Sequence, residues 1–310
     1  MRALRPALPN LPPAIEAALL MVLGAACVAL QNGMIRVVSA EIHTFEIVFF
    51  RNLFGLAAML PFLGGIGLGM FRTHHTGQLL LMSVWHLLGM VGFFLAIVYL
   101  PLAEVIALAF SKPLFATVGA ALILREVVRA RRWSAVALGF AGVLIVLQPG
   151  AQAISPYAVL VLLGALMGAI TSLMIKRLTA TEAISTIVWY QALFATVLAL
   201  PLCLLQWRMP DPMGWLLLIA IGALGTVSWL TATRAFFLID ASAVVPFEFL
   251  RLPFAALVAY LWFAEVPSVW TWLGGALIFG TSIYIAQREA RLARTEMTKA
   301  AREPGPLTTP

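Results

Sequence analysis

Charge is what this chain most lacks. Asp, Glu, Lys and Arg make up 11% of its 310 residues, and hydrophobic residues 62%. A soluble domain carries about 25% charged and about 45–50% apolar residues. So much apolar surface does not fit inside a water-soluble core, which excludes an ordinary globular protein and makes lipid the solvent. Cysteine is nearly absent too. Cys27 and Cys203 each fall inside an apolar run, which excludes a disulfide framework and a thiolate metal site; both read as small apolar side chains. Strict two-residue alternation is missing, which argues against a β-barrel. No nucleotide-hydrolysis motif is present. The glycine-rich run from Gly64 to Gly69 has no strand before it and no helix after it of the kind a nucleotide loop needs, so it reads as a flexible cytoplasmic turn.

What is present is a series of apolar runs. Ten occur, at 14–37, 44–63, 79–99, 103–124, 132–148, 156–176, 184–205, 213–237, 241–263 and 268–287. A helix needs roughly 20 apolar residues to cross about 30 Å of hydrocarbon, so the expected fold is an all-α integral membrane protein of ten transmembrane helices. The connections leave no room for a soluble domain. Arg2 and Arg5 precede the first run as in a signal peptide, but the run is too long for one and no small-x-small cleavage site follows. Residues 1–13 are therefore expected to be a short tail before a retained first helix.

The net charge of +7 is distributed by topology, not as a nucleic-acid-binding patch. With the N-terminus in the cytoplasm, the cytoplasmic segments hold Arg72, Arg125, Arg129, Arg131, Arg132, Lys176, Arg177 and the tail arginines 288, 291 and 294. The external loops hold almost none; Arg208 is the exception and Arg36 is borderline. This is the positive-inside pattern, and it predicts an inner-membrane protein with both termini cytoplasmic. Past about residue 297 the chain is expected to be disordered.

The sequence repeats itself. At a shift of 140, Met34-Ile35-Arg36 lies on Met174-Ile175-Lys176, Leu53-Phe54 on Leu193-Phe194 and Pro61 on Pro201. At a shift of 139, Phe110 lies on Phe249, Lys112 on Arg251, Phe115 on Phe254, Glu126 on Glu265 and Trp133 on Trp272. The expected organisation is a first repeat over 14–148, an external linker over 149–155, a second repeat over 156–287 and a polar cytoplasmic tail over 288–310. Five is odd, so the second half enters the membrane upside down. Inverted repeats suit secondary transporters, in which two similar halves exchange conformations around a central site.

At this point the chain resembles a known family. Tyr99 to Gln148, with Pro101-Leu102-Ala103-Glu104, Lys112-Pro113-Leu114-Phe115, Arg125-Glu126 and Gly139 to Gly142, is similar to an EamA repeat. Asp240 to Gln287 resembles a second, weaker copy. The EamA repeat defines the drug/metabolite transporter superfamily, and the pattern is similar to bacterial carriers of S-adenosylmethionine, riboflavin or amino acids. The resemblance implies ten helices and a cavity between the halves, and constrains the cargo only weakly. An arginine at the place of Arg51 is common in the family pattern. One departure is that the glycine usually preceding the glutamate at the end of the fourth helix is Arg125 here, and Ala264 in the second copy.

Charges inside a membrane are expensive, about 2.5–3.5 kcal/mol at a helix centre on insertion scales, and persist where they face a cavity or a partner. The deepest here are Arg51, Lys112, Glu248 and Arg251. Lys112 and Arg251 are repeat equivalents beside Pro113 and Pro253. A mid-helix proline frees a carbonyl, so charge beside a broken helix points to a wet cavity, with Pro113, Pro253 and Pro246 as hinges. Two readings of Arg251 stand: a substrate contact, or a structural pair with Glu248 three residues away. Further substrate-binding candidates are Arg51, the pairs Gln31-Asn32 and Thr171-Ser172, which the repeat relates, and Trp229 and Tyr190, which offer rings for stacking. Histidine is the side chain whose unperturbed charge change falls near neutrality, so His86, with Glu248, is the candidate for proton coupling. Glu126 and Glu265 read as helix caps or braces.

Cations outnumber acids at depth, which predicts a small anionic or zwitterionic metabolite moved by a gradient-driven carrier, with no cofactor or metal, as a monomer or homodimer. A channel or lipid scramblase is the alternative. An intramembrane enzyme would need a cluster of catalytic groups, and one buried histidine, two separated cysteines and no paired aspartates do not supply it.

Overall fold

The computed structural model describes residues 12–63, 73–123, 130–148, 155–239 and 244–300. The run Gly64–Gly69, the pair Arg125-Glu126, Asp240 and residues 1–11 and 301–310 lie outside them. The helices are α1 Pro13–Val38, α2 Thr44–Leu63, α3 Thr76–Tyr99, α4 Leu102–Ala109, α5 Lys112–Ile123, α6 Ala130–Leu147, α7 Pro156–Leu178, α8 Ile184–Leu205, α9 Pro212–Leu238, α10 Arg251–Phe263 and α11 Val269–Ala300, with a 3₁₀ turn at Val245–Leu250 before α10. No strand occurs among the described residues. In lipid every backbone polar group must be satisfied within the segment, and a helix does this. Proline occupies the first turn of α1, α7 and α9, where its missing N–H leaves no bond unmade. Ser155 caps α7 by accepting from the Tyr157 N–H at 3.3 Å, and Asp211 caps α9 by accepting from Gly214 at 2.6 Å.

These pieces make ten membrane spans in two inverted sets of five. Six stretches are long and apolar enough by themselves: α1, α3, the α4–α5 segment, α7, α8 and α9. The other spans are α2, α6, the segment from Val245 to Phe263, and the first part of α11. That last helix continues past Gln287 to Ala300, because the polar stretch after the apolar run is rich in helix-forming Arg, Glu and Ala.

The fourth and ninth spans are each built in two pieces. α4 stops at Ala109 and α5 starts at Lys112; between them the Ser111 N–H bonds to the Leu108 carbonyl at 3.0 Å in a tighter turn. Pro113 supplies no donor here. The Ser282 hydroxyl of α11 bonds chiefly to its own-helix Ile278 carbonyl at 2.8 Å and reaches the Phe110 carbonyl as a longer branch at 3.3 Å. In the ninth span the break is the 3₁₀ turn ending at Leu250. The two breaks are repeat-equivalent, and they touch: the rings of Phe110 and Phe249 stack at 6.0 Å, and both pack on Phe279, at 5.3 and 4.6 Å.

The internal symmetry is visible in the packing. A Cβ on Gly164 would lie 3.0 Å from the Gly89 carbonyl, bringing α3 and α7 together; a Cβ on Gly24 would meet Thr231 and Ser228, bringing α1 and α9 together. Gly24 maps to Gly164 at a shift of 140, and Gly89 to Ser228 at 139. Between α6 and α11, Gly139 lies against Thr281 and Gly142 against Ile278. At a shift of 139 these two contacts exchange with each other. Small residues let membrane helices approach closely where no hydrophobic effect drives them together.

At the end of the bundle where α1 finishes, Arg36 pairs with Glu265 and lies 4.8 Å over the Phe263 ring, while the second Glu265 oxygen accepts from the Leu102 N–H at 3.2 Å. Glu265 thus braces three spans. Its repeat equivalent Glu126 lies outside the described residues. At the opposite end Arg234 of α9 pairs with Glu16 of α1 at 3.2 Å.

Candidate functional site

A cavity opens between α2, α3, α8 and α9, the second and third spans of each half. Its volume is about 170 Å³, and its polar lining is Arg51, Asn52, His86, Gln191 and Thr226, with Trp229 at one side. The remaining wall includes Gly55, Gly222 and Gly225. Arg51 and Gln191 are repeat equivalents, as are Asn52 and Ala192, and His86 and Gly225. The cavity is therefore built from matching places on the two halves, with different side chains in each.

Arg51 is a poorly compensated charge at this depth. Its one hydrogen bond within the described residues goes to Asn52 Oδ1 at 3.4 Å, although a guanidinium carries five donors. Asn52 is itself fixed, since its amide donates to the Val48 carbonyl at 2.8 Å and to the Met90 sulfur at 3.4 Å. Gln31 of α1 reaches the same wall: a Cβ built on Gly225 would stand 3.1 Å from Gln31 Nε2 and 3.4 Å from Arg51 Nη2. His86 lies within coulombic reach of both Arg51 and Lys112.

Lys112 sits at the break of the fourth span. Its stem runs along α7, where a Cβ on Gly168 would stand 3.3 Å from Lys112 Cδ. Much of its surface is nonetheless exposed. It lies within coulombic reach of Arg251 and Glu248. Arg251 is bonded to Glu248 at 2.8 Å across the ninth-span break. Within this set the Arg251–Glu248 pair supplies one carboxylate, against the three strong cations Arg51, Lys112 and Arg251.

Other candidates stand elsewhere. The Thr171 and Ser172 hydroxyls donate to carbonyls of their own helix, Met167 at 2.9 Å and Gly168 at 3.0 Å. Asn32 is buried, and its Nδ2 has no partner among the described residues. Tyr190 packs against Phe194 at 5.4 Å within a cluster around Leu79, Met82, Leu178 and Ile187. None of these four lines the cavity. Pro113 and Pro253 lie just inside α5 and α10, and Pro246 in the 3₁₀ turn. Asn52, Thr226 and the wall glycines were not singled out from the sequence. Asn52 was findable as the neighbour of Arg51; the glycines had no local signal, because only tertiary contact distinguishes them from packing glycines.

Ten spans in two inverted halves around a polar mid-membrane cavity define a carrier of small molecules across a membrane. The chain belongs to the EamA-like transporter family, which matches it twice, over residues 15–148 and 155–287. A riboflavin transporter of Vibrio cholerae is 32% identical over 287 residues, covering 91% of this chain and 96% of that protein. An S-adenosylmethionine uptake transporter of Rickettsia prowazekii is 26% identical, covering 85% and 90%. A pseudopaline exporter of Pseudomonas aeruginosa is 31% identical, covering 87% and 95%. A solved crystal structure shares the fold with a TM-score of 0.60 at 17% identity, covering 90% of this chain and 98% of that one. The protein is a multi-pass membrane transporter of a small molecule, and not an enzyme.

Proposed function

We propose that the chain is a gradient-driven carrier of a ring-bearing anionic or zwitterionic metabolite, a carboxylate above all, working by alternating access in the bacterial inner membrane with both termini cytoplasmic. The observation that carries this reading is Arg51: a guanidinium at mid-membrane depth, facing a cavity, with one weak intramolecular acceptor. A buried cation of that kind is stabilised by an anion that enters, and a carboxylate accepts two of its donors at once. Gln191 extends the polar wall, and Trp229 offers a face on which a ring stacks. Lys112 supplies a second positive charge at the break of the fourth span. Arg251 is neutralised by Glu248, so its role is to hold that carboxylate at the break, where protonation of Glu248 or of His86 would couple transport to a proton gradient.

The cavity as it stands is small. Pockets for drug-sized ligands run about 300–1,000 Å³, so a metabolite with a ring system requires the halves to part. The paired breaks at Pro113 and Pro253, with Pro246 between Val245 and Phe247, are the places where the helices can bend without losing continuous hydrogen bonds. Riboflavin and S-adenosylmethionine, the cargo named for relatives, are the first compounds to test: both offer a flat heteroaromatic ring, and S-adenosylmethionine alone also carries the carboxylate this reading requires. The decisive experiment is counterflow in proteoliposomes loaded with each candidate. Saturable exchange that disappears in Arg51→Gln and Lys112→Ala, with both variants correctly folded, supports the reading. Full exchange by both variants sinks the site assignment. Unsaturable flux makes the protein a channel or scramblase.

A further inference from the structure

We propose that the outer seam between α6 and α11 is a binding site for an anionic phospholipid: one acyl chain lies in an apolar groove between the two helices, and the phosphate meets the arginines that follow the groove at its end. The site is separate from the central cavity and does not depend on what that cavity carries.

The groove has a volume of about 350 Å³. Ala135 and Thr281 form its buried floor, at 5% and 8% exposure, and Leu138 and Tyr284 its rim, at 54% and 43%. The Thr281 hydroxyl donates to carbonyls of its own helix, Leu277 at 3.0 Å and Ile278 at 2.8 Å, so the floor is apolar to an incoming chain. The room comes from Gly280, where a Cβ would find nothing within 4 Å. On α11 the lining runs from Ala276 to Tyr284, about 12 Å at 1.5 Å per residue. One leaflet of hydrocarbon is about 15 Å deep. The groove thus matches a single chain of a single leaflet.

What sets this seam apart from an ordinary lipid-facing crevice is the charge at its end. On α6, Arg131 precedes Ala135 by four residues and Leu138 by seven. On α11, Arg288 follows Tyr284 by four residues and Arg291 follows it by seven. Residues three and four apart share a helix face, so both lining stripes pass into arginine at the same end of the bundle. Trp133 and Tyr284, each 43% exposed, mark the level, because aromatic rings of this kind sit at the headgroups. Basic pockets between membrane helices take anionic headgroups, and a guanidinium meets a phosphate with two parallel hydrogen bonds. The repeat supplies a comparison. At a shift of 139, Leu277 and Tyr284 fall on Leu138 and Ile145, but Arg131, Arg288 and Arg291 fall on Trp270, Pro149 and Gln152. The two halves share the apolar lining and do not share the cations.

The test titrates phosphatidylglycerol and phosphatidylcholine of identical acyl chains into the full-length protein in detergent, with bound lipid counted by native mass spectrometry. The native protein is expected to bind its first phosphatidylglycerol at least about ten-fold more tightly than phosphatidylcholine, since each basic residue near a headgroup adds about five-fold. With Arg131→Gln, Arg288→Gln and Arg291→Gln combined, the two lipids are expected to bind within about two-fold of each other. Gly280→Leu fills the groove and is expected to weaken both lipids by about ten-fold. Leu138→Ala removes part of the rim and inserts nothing, so it reports on the same groove where Gly280→Leu does not fold; a loss of about three-fold for both lipids is expected. Glycerol 3-phosphate at the same concentration is expected not to displace the lipid. A native protein with no preference for phosphatidylglycerol, or a preference that survives the triple replacement, overturns the proposal. So does phosphatidylglycerol binding that is unchanged by the groove variants or lost to glycerol 3-phosphate. A lipid-free dimer that Gly280→Leu splits gives the seam to a second copy of the chain instead. No cargo is present in these titrations, so their failure leaves the proposed transport function to its own test.

Discussion

Single residues in this protein divide by whether their charge or strain is answered locally. Glu248 and Arg251 answer each other at 2.8 Å. Removing one partner leaves the other unpaired in a membrane interior; both side chains are partly exposed, so the loss falls below the about 3–5 kcal/mol of a fully buried pair. Glu248→Gln is therefore expected to lower the melting temperature in detergent, whereas Arg51→Gln, which removes an uncompensated charge, is expected to leave it unchanged or raise it while abolishing transport. Equal destabilisation by the two would contradict the division drawn between them. Ala264 is a strained residue. It ends α10 with φ of 53° and ψ of 26°, a left-handed conformation that costs a non-glycine residue roughly 1–2 kcal/mol. This is the position at which the resemblance to EamA repeats calls for glycine. Ala264→Gly is expected to stabilise the protein by about 0.5–1 kcal/mol after the extra chain entropy of glycine is counted, read as a higher midpoint in thermal unfolding.

At the scale of elements, the two broken spans decide what the bundle can do. The sequence made these breaks visible, because Lys112-Pro113 and Arg251-Leu252-Pro253 put a charge beside a proline inside an apolar run. What no run of letters disclosed is how the freed backbone is satisfied. The Phe110 carbonyl is met, at 3.3 Å, by the longer branch of the Ser282 hydroxyl, 172 residues distant in sequence, whose shorter branch at 2.8 Å goes to its own-helix Ile278 carbonyl. Ser282→Ala leaves that carbonyl without its hydroxyl donor, and interhelical hydrogen bonds in membranes are worth about 0.6 kcal/mol on average. A modest loss of stability follows, with a larger effect on transport rate if the fourth span bends at this point; single-turnover exchange in proteoliposomes separates the two. The cavity was legible only in part for a similar reason. Arg51, His86 and Trp229 carry chemistry that draws notice in any apolar run. Gln191 is the repeat equivalent of Arg51. Thr171 and Ser172 had the same claim by position, yet their hydroxyls turn back onto their own helix carbonyls, as serine and threonine commonly do inside helices. Periodicity and repeats name the places that face each other; rotamers decide which side chains arrive.

For the whole molecule, the repeat matters because it makes the two faces of the membrane exchangeable. The contacts of Gly24 with Ser228 and of Gly164 with Gly89 are the same joint used twice, and the paired contacts of α6 and α11 exchange under the same operation. Where two halves are so nearly equivalent, the energies of the two opposite openings differ little, and local contacts at either face are enough to tip them. The brace at Arg36, Glu265 and Leu102 is one such contact. It joins α1, the start of the fourth span and the end of the ninth at a single face, and it is partly solvent-exposed, with side-chain exposures of 20% and 21%. Exposed pairs contribute only about 0–1 kcal/mol to stability, too little to hold the fold together but enough to shift a balanced equilibrium several-fold. Glu265→Gln is thus expected to change the accessibility of the cavity more than the stability of the protein. The measurement begins from a background in which Cys27 and Cys203 are replaced by alanine. Thr226→Cys then places a thiol in the cavity wall, and a membrane-impermeant maleimide is added from one side or the other. Labelling from the Arg36 face is expected to rise about five-fold in Glu265→Gln while labelling from the opposite face falls. If the labelling ratio is unmoved and the melting temperature drops instead, Glu265 is a structural brace alone, and the balance between the two faces is set by the helix breaks at the centre of the molecule.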